Sequence, residues 1–328
     1  MSDTVSPPTT DTGERPPVDP GFEPLFALLA DPGIAPMSTL SPTEARDAFR
    51  AMRGAEGEPV AVRSVADRVV PGPGGDVAVR IVVPEAASLT GVLVWFHGGG
   101  WVIGDLDTSE DTQRRLADRA SCVVVSVDYR LAPEHPAPAG LDDCWAATTW
   151  VADHLVDLGV PDSRIAVGGD SAGGNLAALV ALRAAAGGGP DLALQVLVYP
   201  ATDLTLASPS IAENGEGYFL TADTMGWFTD HNLSGGLDPT DPSVSPLFAP
   251  DADLARVAPA LVLVAGYDPL RDEGRAYGEK LAGLGVPAEV VEYPTMIHGF
   301  LAMSSLTPVS DEAADHIAAA LRAAFTEA

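Results

Sequence analysis

Lysine is almost missing: Lys280 is the single one in 328 residues. It falls in a polar helical stretch, "RDEGRAYGEKLAGLG", where a solvated surface position is expected. Lysine Schiff-base chemistry is therefore not expected, and a P-loop is excluded because no Gly-Lys-Ser/Thr follows a glycine loop. Basic residues as a whole are scarce, 18 against 46 acidic, for a net charge of -28. Such a surface repels phosphate, which argues against nucleic acid as a partner and against an anionic membrane surface. Cysteine is nearly absent too. Cys122 and Cys144 have no paired spacing for metal or redox chemistry and read as small buried hydrophobes. No H-E-x-x-H or clustered Cys/His pattern occurs, so neither a metal nor a cofactor is expected. No run of eighteen apolar residues is present, and the opening "MSDTVSPPTTDTGERPPVDP" has no apolar signal core. The expected location is cytoplasmic, without membrane insertion.

What remains is an ordinary globular composition, 46% hydrophobic, in a chain long enough for one large α/β domain. Residues 1–20, rich in Pro, Thr and Asp, read as a disordered tail. "FEPLFALLA" (22–30) and "SPTEARDAFRAMRG" (41–54) carry helical spacing, the second opened by Ser41 before Pro42 and Glu44. "PVAVRSVADRVV" and "DVAVRIVVPE" alternate around the turn "PGPGG", predicting an antiparallel hairpin. From residue 91 the pattern changes. "GVLVWFHGGG", "CVVVSVDYR", "RIAVGGD", "LALQVLVYP", "ALVLVAGYD" and "AEVVEYP" are near-continuous apolar runs, as in strands buried on both faces of a parallel sheet. Helical segments at roughly 107–120, 140–158, 172–187 and 272–284 separate most of them, and a last helix covers about 310–326. The expectation is an α/β fold with an eight-stranded, mostly parallel sheet flanked by helices. Residues 203–256 break the alternation with scattered aromatics and no clear strand; an insertion of that length is expected to be a lid or binding element. Phe219, Trp227, Phe228 and Phe248 within it suit either an acyl pocket or the insertion's own core.

In such a sheet, function gathers at the carboxyl ends of the strands. After "VLVWF" comes His97-Gly98-Gly99-Gly100-Trp101. After "RIAVG" comes Gly169-Asp170-Ser171-Ala172-Gly173, a G-x-S-x-G match opening an alanine-rich helix. After "LVLVAGY" comes Asp268, and after "EVVEYPTMI" comes His298. Each feature alone has a plainer reading: a glycine turn, a structural histidine, an aspartate starting a helix before Pro269. Together they place a serine, a carboxylate, an imidazole and a glycine loop at four strand ends, in the chain order Ser, Asp, His of the α/β-hydrolase triad. A serine hydroxyl needs a base to take its proton. His298 would accept it and pass it to the leaving group, while Asp268 fixes the imidazole tautomer. The negative oxygen of a tetrahedral intermediate needs fixed donors, for which the Ala172 amide and the Gly98–Gly100 loop are candidates; losing one such donor costs about 3 to 4 kcal/mol of barrier. His97 is expected to hold the shape of its loop. His135, His154, His231 and His316 fit poorly as bases.

The motifs "HGGGW", "YRLAPEHPAPAGLDD", "GDSAGGN" and "DPLRDEG" followed by "HGF" resemble the hormone-sensitive lipase family of carboxylesterases, the bacterial family IV, over roughly residues 60–325. Gly-Asp-Ser-Ala-Gly with Asp-Pro-Leu-x-Asp-Glu resembles its GDSAG subgroup. The resemblance implies an α/β-hydrolase fold whose core spans 59–202 and 257–328. Its helical cap would be built from 21–58 and the insertion 203–256. It implies Ser171, Asp268 and His298 as the triad, with Gly99, Gly100 and Ala172 as the oxyanion hole and Gly98 shaping the turn. "YRLAPE" has no chemical role from first principles; Arg130 and Glu134 are read as anchors of a loop near the site. The implied function is hydrolysis of short-chain acyl esters through an acyl-enzyme. Expected partners are a small-molecule ester and, at most, a second copy of the chain as a homodimer. Two alternatives stay open: amidase or acyltransferase chemistry at the same site, and a non-catalytic ligand receptor on the same scaffold, as in the plant gibberellin receptors. The presence of His298 counts against the latter.

Overall fold

The computed structural model describes residues 15–53, 59–160 and 164–327. Two helices open the described chain, α1 (Glu23–Leu29) and α2 (Pro42–Arg53). At the start of α2 the Ser41 hydroxyl accepts from the Glu44 amide (3.3 Å) and the Glu44 carboxylate accepts from the Ser41 amide (2.9 Å), a reciprocal cap. A hairpin follows, β1 (Ser64–Gly72) and β2 (Gly75–Val83), then β3 (Val92–Phe96), α3 (Leu106–Ala120), β4 (Val123–Asp128), α4 (Ala139–Asp153), β5 (Ile165–Asp170), α5 (Ala172–Ala185) and β6 (Leu194–Val198). The insertion holds α6 (Pro209–Asn214), α7 (Ala222–Asn232) and α8 (Asp251–Leu254). β7 (Ala260–Tyr267), α9 (Arg271–Gly283), β8 (Ala288–Ile297) and α10 (Val309–Glu327) complete the chain.

The eight strands form one sheet in the order β1-β2-β4-β3-β5-β6-β7-β8. β2 pairs antiparallel with β1 and β4, and every later pairing is parallel. Strand side chains alternate between faces, and both faces are covered. Val92, Val94 and Phe96 join a core with α4, α5 and α9, while Leu93 and Trp95 join another with α3 and α10. This double burial explains the continuous apolar runs of β3 and β7, in which every residue is buried.

Four boundaries differ from the sequence expectation. α4 ends at Asp153, not near 158, because His154 at φ -122° leaves the helical range and its N–H turns back to Val151. The first hairpin strand starts at Ser64, not near Pro59, because Ser64 pairs with Val83 and the next residue, Pro84, has no N–H to extend the ladder. β8 runs through Pro294 to Ile297; as an edge strand it pairs only with β7, and an edge tolerates proline. Within the stretch read as a loose tail, residues 1–14 lie outside the described residues, but Arg15–Pro20 is held against the fold: Tyr267 donates to the Pro16 carbonyl (2.6 Å) and Asp19 donates its N–H to Thr295 (3.0 Å). Its composition cannot build a core, yet it finds polar partners on one.

The sheet order reverses at β3, which has β4 on one side and β5 on the other. Such a switch point opens a crevice at the strand carboxyl ends. The glycine loop and Ser171 leave the sheet there.

Candidate active site

Ser171 sits between β5 and α5 at φ 57°, ψ -120°, a left-handed conformation that L residues rarely adopt. The surrounding glycines permit it by closeness. A Cβ on Gly173 would lie 1.9 Å from the Phe96 carbonyl oxygen, and one on Gly169 2.4 Å from the Gly173 backbone. The Ser171 N–H donates to Val198 (2.8 Å), which ties the turn to β6.

His298 lies just past β8 and is 6% exposed. Its Nε2 is 2.9 Å from Ser171 Oγ and its Nδ1 is 2.7 Å from Asp268 Oδ2. Asp268 is fully buried. Its Oδ1 accepts the Leu270 N–H (2.8 Å), and its carbonyl accepts from the Asn214 side-chain amide (3.1 Å), so the carboxylate has little freedom to turn. The Tyr199 ring packs against the imidazole with centroids 4.7 Å apart. With Nδ1–H donating to Asp268, Nε2 is free to accept the serine proton.

The glycine loop lines the same cleft as Ser171. Gly98 donates its N–H to Asp170 Oδ1 (3.0 Å), so its amide is already engaged. Gly99 (φ 124°) and Gly100 (φ 57°) turn the loop, and among the described residues their amides take no backbone acceptor. Ala172 is the first residue of α5, where a helix N–H has no partner within the helix and the positive end of the dipole favours an anion. The imidazole of His97 stacks on Tyr129 (4.4 Å between centroids, 16° between planes) and contacts the Gly98 carbonyl (2.8 Å), which suits support of the loop.

The "YRLAPE" residues hold the surroundings. Arg130 grips buried Asp143 with two donors (2.7 and 2.8 Å). Glu134 takes a two-pronged contact from Arg46 of α2 (2.9 and 2.6 Å), which holds its carboxyl down to about 2. Arg46 also donates to the Val102 and Ala132 carbonyls, joining α2 to the chain just after the glycine loop. Asp170 and Arg46 were not singled out from the sequence; the signal for Asp170 was its place inside G-x-S-x-G. Burial pushes the Cys122 thiol up to about 12 and the Cys144 thiol well above its ordinary range, so neither offers a thiolate.

Glu273 also escaped the sequence reading. It is 1% exposed in the first turn of α9, and its Oε1 accepts the amides of Thr202 (2.8 Å) and Asp203 (3.1 Å). Burial pushes its carboxyl up to about 8 against the pull of those donors. The folded chain thus holds a proton that an unfolded one releases from an ordinary value of 4.5. The resulting stability is fully present below about pH 4.5 and is lost as pH rises through about 8. Glu273→Gln keeps an acceptor and stays neutral. Its stability relative to the parent should therefore rise between pH 5 and 9, by a few kcal/mol in order of magnitude. Thermal unfolding of both chains across that range is the check, and a constant difference would contradict this reading.

A cleft of ≈ 1080 Å³ opens above Ser171, His298 and Gly98–Trp101. Phe26, Leu29, Phe49 and Met52 wall it from the amino-terminal segment, Phe219 and Phe228 from the insertion. The turn Met37–Thr39 packs beside α7, so the two segments meet over the site. Of the insertion's aromatics, Trp227 packs edge-on to Phe228 and His231, and Phe248 is 40% exposed away from the cleft. Among the described residues no group of three metal-ligating side chains occurs, and no helix is long and apolar enough to cross a membrane.

Comparison with known proteins agrees with this architecture. A family model described as the alpha/beta hydrolase fold matches residues 93–302. The esterase LipI of Mycobacterium tuberculosis is 44% identical over 261 residues, 79% of this chain and 81% of that protein. The carboxylic ester hydrolase LipN of the same organism is 43% identical over 265 residues, 79% and 70% of the two chains. Among solved structures, an esterase from the archaeon Pyrobaculum calidifontis superposes with a TM-score of 0.86 at 39% identity, covering 94% of this chain and 98% of that one.

Proposed function

The chain belongs to the α/β-hydrolase family, in its hormone-sensitive lipase branch, and from that premise we infer that it is a carboxylic ester hydrolase using Ser171 as nucleophile, His298 as base and Asp268 as the orienting acid. The observation that carries this reading is the unbroken line of contacts from Asp268 Oδ2 through both ring nitrogens of His298 to Ser171 Oγ, at 2.7 and 2.9 Å.

The mechanism follows from the positions of the groups. His298 Nε2 takes the proton as Ser171 Oγ attacks the ester carbonyl. The carbonyl oxygen becomes negative and is taken up by the amides of Gly99, Gly100 and Ala172, backbone donors that need no rearrangement to serve it. Collapse of this intermediate leaves an acyl-serine, and the proton on Nε2 passes to the departing alkoxide. Water, deprotonated by the same nitrogen, then releases the acid. The segments 21–58 and 203–256 act as a cap (54–58 lie outside the described residues). Its mainly apolar walls suit uncharged esters with apolar acyl and alcohol groups. Phe228 packs its ring against Gly100, so it bounds the space beside the oxyanion amides.

A fluorophosphonate probe tests the assignment directly. One probe per chain should attach, peptide mapping should find it on Ser171, and hydrolysis of p-nitrophenyl butyrate should cease in proportion to labelling. Attachment elsewhere, or hydrolysis that persists in fully labelled protein, would refute the role of Ser171.

A further inference from the structure

We propose that the segment Arg15–Gly21 is a clasp that sets Asp268 against His298, with Arg15 as its positioning residue; the inference rests on the roles given to those two side chains above. The segment touches both strand ends that deliver them. Arg15 lies with its guanidinium carbon 3.5 Å above the Tyr267 ring, one residue before Asp268, and donates to the carbonyl of Gly266, two residues before it. Its remaining donors reach Glu213 (2.8 Å) and Asn214 Oδ1 (2.9 Å) of α6. Asn214 in turn donates to the Asp268 carbonyl. On the other strand, the Asp19 N–H donates to Thr295, three residues before His298, and Asp19 Oδ2 accepts from the Thr307 hydroxyl (2.9 Å) beyond it.

The place where the clasp lies gives it work to do. The β7–β8 ladder is regular up to Ala265 paired with Tyr293, shifts across Gly266, and resumes with Tyr267 opposite Ile297. Bulges of this kind re-aim side chains beside active sites, and they interrupt the pairing that would hold two strands in register. Asp268 and His298 both leave the sheet just past this irregularity. Arg15 and Asp19 bind carbonyls on both strands there, replacing ladder contacts with contacts from a third segment. A planar guanidinium can serve Gly266, Asn214 and Glu213 at once while stacking on Tyr267; a lysine ammonium cannot reproduce that set. Displacement of a reacting pair by about 1 Å is enough to cost roughly 10²-fold in rate.

The test uses the full chain and the variants Arg15→Ala, Arg15→Lys and Tyr267→Phe, with Ser171→Ala as reference. Arg15→Ala should lower kcat about 10- to 100-fold, within the cost of such a displacement, with KM changed less than about twofold. It should also weaken the far-downfield proton resonance of the His298–Asp268 contact. Arg15→Lys should stay much closer to the alanine variant than to the parent. Tyr267→Phe, which keeps the ring and loses only the bond to Pro16, should lower kcat a few-fold with no change in unfolding temperature, so the effect is read even if the Arg15 variants fold poorly. A kcat within twofold of the parent in Arg15→Ala, an unmoved resonance, or full recovery by lysine would overturn the clasp. If Ser171→Ala is inactive while Arg15→Ala keeps full activity, the clasp alone fails. If Ser171→Ala stays active, the site assignment itself fails.

Discussion

Ser171→Ala should abolish ester hydrolysis while leaving the fold untouched. Loss of the nucleophile from a serine–histidine pair lowers kcat on the order of 10⁶-fold, since the remaining groups then act only by binding and by polarising the carbonyl. The structure gives reason to expect no structural cost. The hydroxyl is half-buried, its hydrogen-bond partner is His298 Nε2, and alanine meets the same backbone strain at φ 57° as serine does. Unfolding temperature should therefore move by no more than a degree or two. Hydrolysis of p-nitrophenyl butyrate and thermal unfolding, measured side by side, check both halves. Retention of a tenth of the parent rate would remove Ser171 from the mechanism.

Gly173→Ala should do the opposite, damaging structure and activity together. The added methyl would sit 1.9 Å from the Phe96 oxygen, 2.6 Å from its carbon and 2.7 Å from the His97 oxygen, and all three are backbone atoms. No rotamer change relieves such contacts. Either α5 withdraws from the end of β3, or β3 and its glycine loop shift. Strain of this kind costs about 3 kcal/mol or more, which in a domain this size lowers the unfolding temperature by roughly 4 °C or more. The retreat also parts the Ala172 amide from those of Gly99 and Gly100, so the folded fraction should lose at least about 10²-fold in kcat. Gly226→Ala provides the contrast. Nothing lies within 4 Å of its new methyl, it is inside α7, and alanine there should be neutral or stabilising by up to about 1 kcal/mol. Equal behaviour of the two variants would contradict the close-packing account.

These contrasts also mark what could be read from residues alone. Strands buried on both faces are legible as unbroken apolar runs, and the residues that follow each run point to Ser171, Asp268 and His298. Helix starts were legible within a residue or two where a local cap existed, as at Ser41. What escaped was set by contacts distant in the chain. Glu273 looked like one more acidic residue opening a helix, because its partners, Thr202 and Asp203, lie some seventy positions earlier. Pro294 suggested the end of a strand that continues to Ile297, since only the sheet order reveals that β8 is an edge. Arg15 sat among prolines and threonines whose composition carries no hint of Tyr267.

The cleft over Ser171 is walled by two stretches, 21–58 and 203–256, that lie about 145 positions apart in the chain and touch where Met37–Thr39 meets α7. Selectivity for one ester over another is thus written at two separate addresses. A chimera that imports either stretch alone from a related enzyme would bring mismatched halves of a single wall, so altered preference should emerge when both are exchanged together.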